Sequence, residues 1–561
     1  MTTPAQAEEL AAPLDFLLTA AAIGPLRRFL PNSAWIRMAS NLAVRPGVVS
    51  RRLADLAVDL GRITTGTSDR APSSRDRRFA DPAWTQNPFL RRLVQGYLAA
   101  GETAGALTKE AQLDWRDHER MSFVVDNLVD ALAPSNNPLV SPAAWKALID
   151  TAGLSGVRGM RHLLRDLATP PRVPSMVEPS AFSVGATVAA TPGAVVFRNE
   201  VLELIQYTPQ TDKVRAIPVL IVPPVINKYY VVDLSPGRSL TEYLLRQNLQ
   251  VFTISWRNPD ARHRDWGLDA YGQAISEAMD AVQRICRSDL IQLFATCSGG
   301  MLASMLMSVL TDRGEADRVA GLTLAVTVLD QSRAGLASAA MDERVAAAAI
   351  AASASRGYLD GRVLAEVFAW LRPNDLIWNY WVNNYLQGRE PAAFDVLFWN
   401  ADTTRMPAAL HRDFVELGLG NTLTHPGAAT MLGTAVDLGK VGVPAYIVAG
   451  IADHICPWQS CYRSTQLLGG ENRFVLSTSG HIASIVNPPG NPKATYQVND
   501  GNPPDPEQWL RTATTMQGSW WPDLVNWLTE RGGRLRNAPA EPGGAGLPAL
   551  DPAPGSYVYA A

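Results

Sequence analysis

Residues 294–300 read Phe294-Ala295-Thr296-Cys297-Ser298-Gly299-Gly300, a heptapeptide between an apolar run and a helix-like run. A buried strand that turns tightly into a helix lifts the residue at the turn above its sheet, beside the unpaired N–H groups of the helix N-terminus. Cys297 occupies this turn position, and Gly299 and Gly300 leave the chain room to turn. Ala295 stands where such turns carry glycine, so we expect its methyl group to meet closely passing backbone. The heptapeptide predicts a strand-turn-helix with a thiol at its tip. The alternative, which is the commoner case for a single cysteine, is a buried structural cysteine at a strand end.

The composition favours a globular protein of more than one body. The chain has 561 residues, of which 47% are hydrophobic and 18% charged, and this length exceeds that at which one hydrophobic core keeps growing. The formal net charge is −3 and no dense stripe of Lys and Arg is present, which argues against a nucleic-acid surface.

The cysteines and the N-terminus predict a soluble cytoplasmic protein. The four cysteines, at 286, 297, 456 and 461, are too few for a disulfide framework, so a reducing compartment fits best. The spacing of Cys456 and Cys461 matches no common zinc or redox motif, so we expect both to be structural and predict no metal site. The N-terminus lacks a signal-peptide pattern, and no apolar run approaches the roughly 18 residues that span a bilayer.

The N-terminal part of the chain is helical in pattern. The stretches Leu10 to Leu30 and Phe89 to Ala104 are apolar at helical spacing, and a proline-rich stretch from Pro170 to Pro174 marks a boundary. We therefore predict a helical N-terminal domain over residues 1–180.

After residue 180 the pattern changes to short apolar runs that alternate with helical ones. Nearly continuous apolar strands separated by helices, such as those predicted at Leu268 to Arg284 and Met301 to Leu310, indicate an α/β fold with a mostly parallel sheet covered on both faces. This core is predicted in two parts, 181–330 and 441–536. Its strands are predicted at Ala194 to Phe197, Val201 to Tyr207, Pro218 to Val222, Val251 to Ser255, Leu290 to Phe294, Leu322 to Leu329, Ala445 to Val448 and Arg473 to Leu476.

The alternation stops between the two parts of the core. Residues 331–440 are rich in aromatic side chains and helical in pattern, which is typical of a small packed subdomain. Their place after the sixth strand also predicts an inserted helical cap or lid. The proline- and glycine-rich residues 537–561 predict a flexible tail.

A thiol at such a turn needs a base, and the base needs an acid that orients it. In α/β-hydrolases the three residues come in the order nucleophile, acid, base, each at the carboxyl end of a strand. After Cys297, the strand at Ala445 to Val448 leads to Asp453, and the strand at Arg473 to Leu476 leads to His481. We therefore predict an α/β-hydrolase fold in which these three residues form the catalytic site.

Two competitors for these roles remain open. Asp330 ends the strand before the insertion, a position at which some α/β-hydrolases carry the acid. His454 adjoins Asp453, but neighbouring side chains of a loop tend to diverge, so His481 is favoured as the base.

The oxyanion that forms during acyl transfer needs backbone donors near the thiol. We predict the N–H of Ser298, at the helix N-terminus, and the N–H of Val225. Val225 provides the first N–H of its loop because Pro223 and Pro224 have none.

The choice of sulfur as nucleophile favours acyl transfer over hydrolysis. Attack by a cysteine on a thioester exchanges one thioester for another and keeps the acyl group activated for a second acceptor. A serine nucleophile would convert the thioester at once into an ester, which is less activated for transfer.

A set of motifs spread over about Val140 to Trp527 carries a closer resemblance. The motifs are Ala295 to Gly300, Val222 to Tyr230, Asp233 to Pro236, Ser255 to Pro259, Arg372 to Trp381, Ala449 to His454 and Ser479 to His481. With these motifs the chain resembles the polyhydroxyalkanoate synthases. Its length and the run Thr191 to Glu200 make it most similar to the class II synthases.

The resemblance implies that the chain polymerises (R)-3-hydroxyacyl-CoA thioesters of medium chain length into polyhydroxyalkanoate and releases CoA. The family's nucleophile, aspartate and histidine fall on Cys297, Asp453 and His481. The resemblance also implies a homodimer on polyester granules in the cytoplasm, without a cofactor, since CoA is part of the substrate. Two alternatives stay open: a thioesterase or polyester depolymerase with the same three residues, and a non-catalytic granule-associated protein.

Overall fold

The computed structural model describes residues 33–74, 76–331 and 343–560, and these form two compact units. The core unit contains the described residues of 179–361 and 394–560. The helical unit contains those of 33–178 and 362–393. The helix predicted at Leu10 to Leu30 lies outside the described residues.

The core unit is built on one mixed sheet of 11 strands. The strands, numbered along the chain, are β1 (Gly193–Arg198), β2 (Leu202–Tyr207), β3 (Val219–Val222), β4 (Val251–Trp256), β5 (Ile291–Thr296), β6 (Val319–Ala325), β7 (Ala445–Gly450), β8 (Asn472–Ser477), β9 (Thr495–Val498), β10 (Thr514–Gln517) and β11 (Asp551–Pro552). Across the sheet their order is β10-β9-β8-β7-β6-β5-β3-β4-β2-β1-β11. The central strands from β8 to β4 run parallel, and the pairs at both edges are antiparallel.

All eight predicted strands are present, as β1 to β8. Every residue of β3, β4, β5 and β7 is buried, which is the pattern of parallel strands covered on both faces. The largest difference concerns β6, which was predicted to continue to Leu329. It ends at Ala325 because Val326 adopts a φ of 45°, a left-handed conformation that ends regular pairing.

The α-helices of the described residues are also numbered along the chain. They are α1 (Ser33–Ala43), α2 (Pro46–Thr65), α3 (Ala83–Gln86), α4 (Pro88–Glu110), α5 (Trp115–Ala131), α6 (Pro142–Asp150), α7 (Leu154–Ala168), α8 (Leu240–Leu245), α9 (Leu268–Cys286), α10 (Ser298–Asp312), α11 (Glu343–Arg356), α12 (Gly361–Leu371), α13 (Asp395–Ala401), α14 (Ala408–Gly420), α15 (Trp458–Tyr462), α16 (Ser464–Leu467), α17 (His481–Ile485), α18 (Pro506–Thr512) and α19 (Trp521–Glu530). Two π-helical segments are Asn374–Trp378 and Trp381–Leu386. Short strand pairs join Lys213–Arg215 to Leu535–Asn537, Tyr358–Leu359 to Met406–Pro407, Thr430–Met431 to Thr434–Ala435, and Gly543–Gly544 to Leu547–Pro548.

The helix that follows the Cys297 turn lies at the centre of the core unit. Helix α10 is buried at every position from Ser298 to Leu310. A helix that is apolar on all sides belongs inside a core, and α10 accordingly contacts β3, β5 and α9. The first turn of α10 is therefore fixed by packing on several sides.

The C-terminal tail differs from the flexible segment that its composition predicted. Strand β11 pairs antiparallel with β1, with Pro552 opposite Ala194. The buried Glu203 carboxylate accepts hydrogen bonds from the N–H groups of Ser556 and Tyr557, at 2.9 and 2.8 Å. Proline lacks a donor and is tolerated at a sheet edge, so the composition that suggested flexibility also suits an edge strand. The prediction of a flexible tail is corrected accordingly.

The residues predicted to form one cap are divided between the two units. Residues 362–393 group with the helical unit, whereas α11, α13 and α14 belong to the core unit. Residues 332–342 of the predicted cap lie outside the described residues. A movable cap stays a prediction.

Helix α7 of the helical unit presents its apolar face to solvent. Its buried side consists of small or polar residues, Ser155, Gly159, His162 and Asp166. Its exposed side carries a stripe at helical spacing, Leu154, Val157, Met160, Leu164 and Leu167. A Cβ on Gly159 would lie 1.9 Å from the Tyr385 carbonyl oxygen, so the close packing of the buried side requires glycine there. Within the described ranges, every helix is too short or too polar to cross a membrane.

Candidate active site

Cys297 lies in a tight turn between β5 and α10. Its φ of 49° and ψ of −122° place it in a strained region that non-glycine residues rarely adopt. The Cys297 N–H donates to the Ala325 carbonyl at 3.0 Å, which ties the turn to the end of β6. Cys297 as a residue is half-buried, whereas Thr296 and Ser298 on either side are completely buried. The turn therefore presents the sulfur and hides its neighbours.

The glycines after Cys297 permit close packing against neighbouring strand ends. A Cβ on Gly299 would lie 2.4 Å from the Pro223 carbonyl oxygen. A Cβ on Gly300 would lie 2.1 Å from the Thr327 Oγ1 atom. Both distances are well below van der Waals contact, so larger residues would force α10 away from the sheet.

Ala295 lies within β5 and not in the turn itself. It is completely buried and in register with Val222 of β3 and Leu324 of β6. Regular parallel pairing continues through this position, so the alanine departs from the glycine pattern without interrupting the strand.

Asp453 and His481 meet in the loops that follow β7 and β8. The His481 Nδ1 atom and the Asp453 Oδ2 atom are 2.7 Å apart, and both side chains are buried. The other carboxylate oxygen, Oδ1, accepts from the N–H groups of Ile455 and Cys456, each at 2.8 Å. These bonds hold the carboxylate in one orientation, so that Asp453 in turn holds the His481 ring.

The structure brings His481 together with Cys297 and with a second thiol, that of Cys456. The two sulfur atoms and a ring nitrogen of His481 all lie within 4.8 Å of one another. Cys456 was predicted to be structural from its spacing to Cys461, and this interpretation missed its place at the site. Its position three residues after Asp453, in the loop that carries the acid, is the signal that favours such a contact.

The surroundings of Cys297 stabilise a thiolate. A hydrogen bond with Cys456 lowers the pKa of Cys297; burial opposes this, and His481 lowers the pKa further, to about 5. Burial by itself lowers the pKa of His481, but the Asp453 carboxylate and the Cys297 sulfur raise it to about 10. The hydrogen bond with Cys297 and burial raise the pKa of the Cys456 thiol. These shifts favour a Cys297 thiolate beside a His481 imidazolium, with Cys456 as a neutral thiol.

Of the two competing residues, Asp330 has hydrogen-bond partners outside the predicted catalytic set. Asp330 accepts a hydrogen bond from the Asn421 amide at 2.9 Å and lies 3.4 Å from an Arg463 nitrogen. The Asp453 carboxylate is bonded to His481, which was favoured over the adjacent His454 as the base.

Both expected oxyanion donors already have partners. The Ser298 N–H forms a hydrogen bond with Cys297. The Val225 N–H donates to the Ser298 Oγ atom at 3.1 Å. The Thr404 hydroxyl donates to the Val225 carbonyl at 3.1 Å and so fixes the loop on its other side.

Comparison with known proteins places these features in a family. The family model described as Poly-beta-hydroxybutyrate polymerase (PhaC) N-terminus matches residues 75–244, and that described as alpha/beta hydrolase fold matches residues 219–488. Poly(3-hydroxyalkanoate) polymerase 2 of Ectopseudomonas oleovorans is 48% identical over 524 residues, which are 93% of each chain. Poly(3-hydroxyalkanoate) polymerase 1 of the same organism is 46% identical over 538 residues, 96% of each chain. The Poly(3-hydroxyalkanoate) polymerase subunit PhaC of Cupriavidus necator is 40% identical over 520 residues, 91% of this chain and 88% of that one.

These similarities extend through both units. The alpha/beta hydrolase model covers Cys297, Asp453 and His481, and it confirms the fold class predicted from the sequence. The chain therefore belongs to the poly(3-hydroxyalkanoate) polymerases, and it is an acyltransferase.

Proposed function

We propose that this polymerase joins (R)-3-hydroxyacyl-CoA thioesters of medium chain length into polyester and releases CoA, with the acyl group carried on Cys297. The observation that supports this most is the approach of the Cys297 sulfur to a His481 ring whose Nδ1 lies 2.7 Å from Asp453. Nucleophile, base and orienting acid are thus within reach of one another.

In the first half of the reaction the Cys297 thiolate attacks the thioester carbonyl of the incoming substrate. A tetrahedral intermediate forms, the bond between the carbonyl carbon and the CoA sulfur breaks, and His481 gives its proton to the departing CoA thiolate. The acyl group stays on Cys297 as a new thioester.

In the second half the hydroxyl of another hydroxyacyl unit attacks this thioester. Neutral His481 takes the hydroxyl proton as general base while Asp453 holds the ring in place. An ester bond forms, the bond to the Cys297 sulfur breaks, and the thiolate beside the imidazolium is restored.

The oxyanion of both tetrahedral intermediates is proposed to bind the N–H groups of Ser298 and Val225. The Val225 N–H donates to Ser298 Oγ, so this donor becomes available only when the serine hydroxyl rotates away. Negative charge on the substrate oxygen is a better acceptor than a hydroxyl and favours that exchange.

Medium chain length is proposed from the similarity to the class II synthases. No cofactor or metal is proposed for the reaction, since the thioester brings its own activation and CoA leaves as a product. Purified protein should release CoA and form insoluble polyester from 3-hydroxyacyl-CoA substrates, with highest turnover on medium chains. Free 3-hydroxy acid in place of polyester would identify a hydrolase, and turnover retained in Cys297→Ala would reject the mechanism.

We also propose that the protein is a homodimer and lies on polyester granules, with the exposed stripe of α7 against the polymer. A helix that buries Ser155 and Asp166 but exposes Val157 and Leu164 fits an apolar surface better than water.

The stripe can be tested by cosedimentation with polyester particles. The double change Val157→Glu and Leu164→Glu should weaken binding to the particles. Leu53→Glu, at another exposed apolar position, should not. If the double variant loses the dimer in sedimentation analysis but still binds the particles, the stripe is a contact between subunits instead.

A further inference from the structure

The thiol site contains three side chains that could bind a metal ion, although acyl transfer uses only two of them. The sulfur atoms of Cys297 and Cys456 and a ring nitrogen of His481 lie within 4.8 Å of one another. The proposed reaction uses only Cys297 and His481. Cys456 has no part in it as an attacking or proton-carrying group, yet its sulfur lies within 4.8 Å of the Cys297 sulfur.

His481 has the second contact that metal-binding histidines usually have. Its Nδ1 atom is bonded to Asp453 at 2.7 Å, which leaves Nε2 as the nitrogen available to a cation. A histidine that ligates a metal typically donates its other N–H to a carboxylate, which fixes the ring and raises its basicity. Asp453 itself is held by the N–H groups of Ile455 and Cys456, so the support of the ring is rigid.

The chemistry of the three donors selects soft or borderline cations. On cation binding the Cys456 thiol and the His481 imidazolium each release a proton to solvent, and the resulting two thiolates and one imidazole favour Zn²⁺ or Cd²⁺ over the hard cations Mg²⁺ and Ca²⁺. Zinc sites with three protein ligands leave a fourth tetrahedral position for water, and two cysteines with one histidine form one such set.

We propose that Cys297, Cys456 and His481 together bind one Zn²⁺ or Cd²⁺ ion, and that this cation excludes the acyl group from the thiol. The cation and the acyl group compete for the same sulfur, and the cation also occupies the nitrogen that would carry the proton. Binding therefore holds the enzyme in an inactive, reversible state. This inference goes beyond the polymerisation proposed above, although it uses two of the same side chains.

The experiment uses the full chain, freed of metal with a chelator and titrated with Cd²⁺. The ultraviolet charge-transfer band from thiolate to cadmium reports binding without any turnover. We expect one ion per chain and a band that is absent in Cys297→Ala. Cys456→Ala should weaken Cd²⁺ binding more than Asp453→Asn does, since a ligand contributes more to affinity than a residue that only orients a ligand. Asp453→Asn should weaken it by roughly 10- to 100-fold.

Cys461→Ala is the matched control, since this buried thiol lies in the same region but outside the cluster. It should bind Cd²⁺ as the unchanged protein does. If Cys456→Ala does not fold, Cys456→Ser keeps the size of the side chain and should give the same loss. Equal affinity and equal band intensity in the Cys456 variant and the control would overturn the proposal, as would a band that persists in Cys297→Ala.

Measurements of CoA release test the proposal independently of the cadmium band. Zn²⁺ should stop CoA release, and a chelator should restore it. If the charge-transfer band appears as expected but no polyester forms without metal, the polymerisation proposal fails and the cation site stands. If polyester forms but Cd²⁺ produces no band, the cation site fails alone.

Discussion

Replacement of Asp453 by asparagine tests whether this carboxylate orients the base. The Oδ1 atom accepts from two backbone N–H groups, and an asparagine oxygen can accept both of those bonds. The amide nitrogen then takes the place of Oδ2, opposite His481 Nδ1. Two donors face each other, so the ring must adopt the other tautomer, which puts a hydrogen on the nitrogen that faces Cys297.

The expected loss is large because the change removes both orientation and charge. The Asp453 carboxylate is buried and is the strongest influence that raises the pKa of His481. Without it the imidazolium is not stabilised and the neutral ring presents the wrong nitrogen to the substrate hydroxyl. In a Ser-His-Asp triad the equivalent change costs roughly 10⁴-fold in kcat, or about 5.4 kcal/mol in the activation barrier.

Asp330→Asn is the matched control at the other candidate acid. Its carboxylate is bonded to Asn421 at 2.9 Å and lies 3.4 Å from Arg463. We expect less than about a tenfold loss of CoA release, the effect of one weakened polar contact. Thermal unfolding of both variants should show that neither loss comes from misfolding.

Two outcomes would refute the assignment of the acid. Asp453→Asn could retain more than about a tenth of the original rate of CoA release while folding normally, which is far above the rate expected after loss of the orienting acid. Alternatively, Asp330→Asn could lose more activity than Asp453→Asn, and the role would then move to Asp330.

Three further perturbations follow from the fold and the site. Iodoacetamide should alkylate Cys297 rapidly from neutral pH down to about 5, since the thiolate persists above its lowered pKa and is lost below it. His481→Gln should move this midpoint upward, and an unchanged pH profile would contradict the ion pair. Gly299→Ala should abolish folding or activity because its Cβ would lie 2.4 Å from backbone oxygen, whereas Gly61→Ala, with open space around it, should leave thermal unfolding unchanged or raise its midpoint. Glu203→Ala should lower the free energy of unfolding by roughly 3 kcal/mol, because it removes the buried carboxylate that anchors the tail. The tail should also become sensitive to protease. Protease resistance equal to that of the unchanged protein would show that the edge strand holds without Glu203.

The strands of the core could be predicted because their burial leaves a direct mark on the sequence. Strands covered on both faces favour nearly continuous apolar runs, of which β3 at Val219–Val222 is the clearest case. The short strands β9 and β10 lack such runs, and every residue of β10 is exposed. Their pairing depends on partners already in place at the edge of the sheet, which local sequence does not encode.

Contacts between distant segments account for the other differences. The tail is fixed by Glu203, a residue of β2 far away in the chain, so composition alone suggested flexibility. The left-handed Val326 ended β6 early although its side chain suits a strand. The nucleophile, acid and base could be predicted as a set because each follows a predicted strand, and parallel strands bring their carboxyl ends together.

The chemistry of the thiol depends on the loop after β7 as much as on the turn that carries it. One carboxylate, that of Asp453, binds His481 through Oδ2 and the Cys456 backbone through Oδ1, so it positions both neighbours of the Cys297 sulfur. A change at Asp453 should therefore alter turnover, thiol pKa and cation binding together. A change at Cys456 leaves the Asp453 and His481 pair intact and removes the hydrogen bond that does most to lower the pKa of Cys297. It should raise that pKa and weaken cation binding while the base stays oriented, which separates the second thiol from the triad.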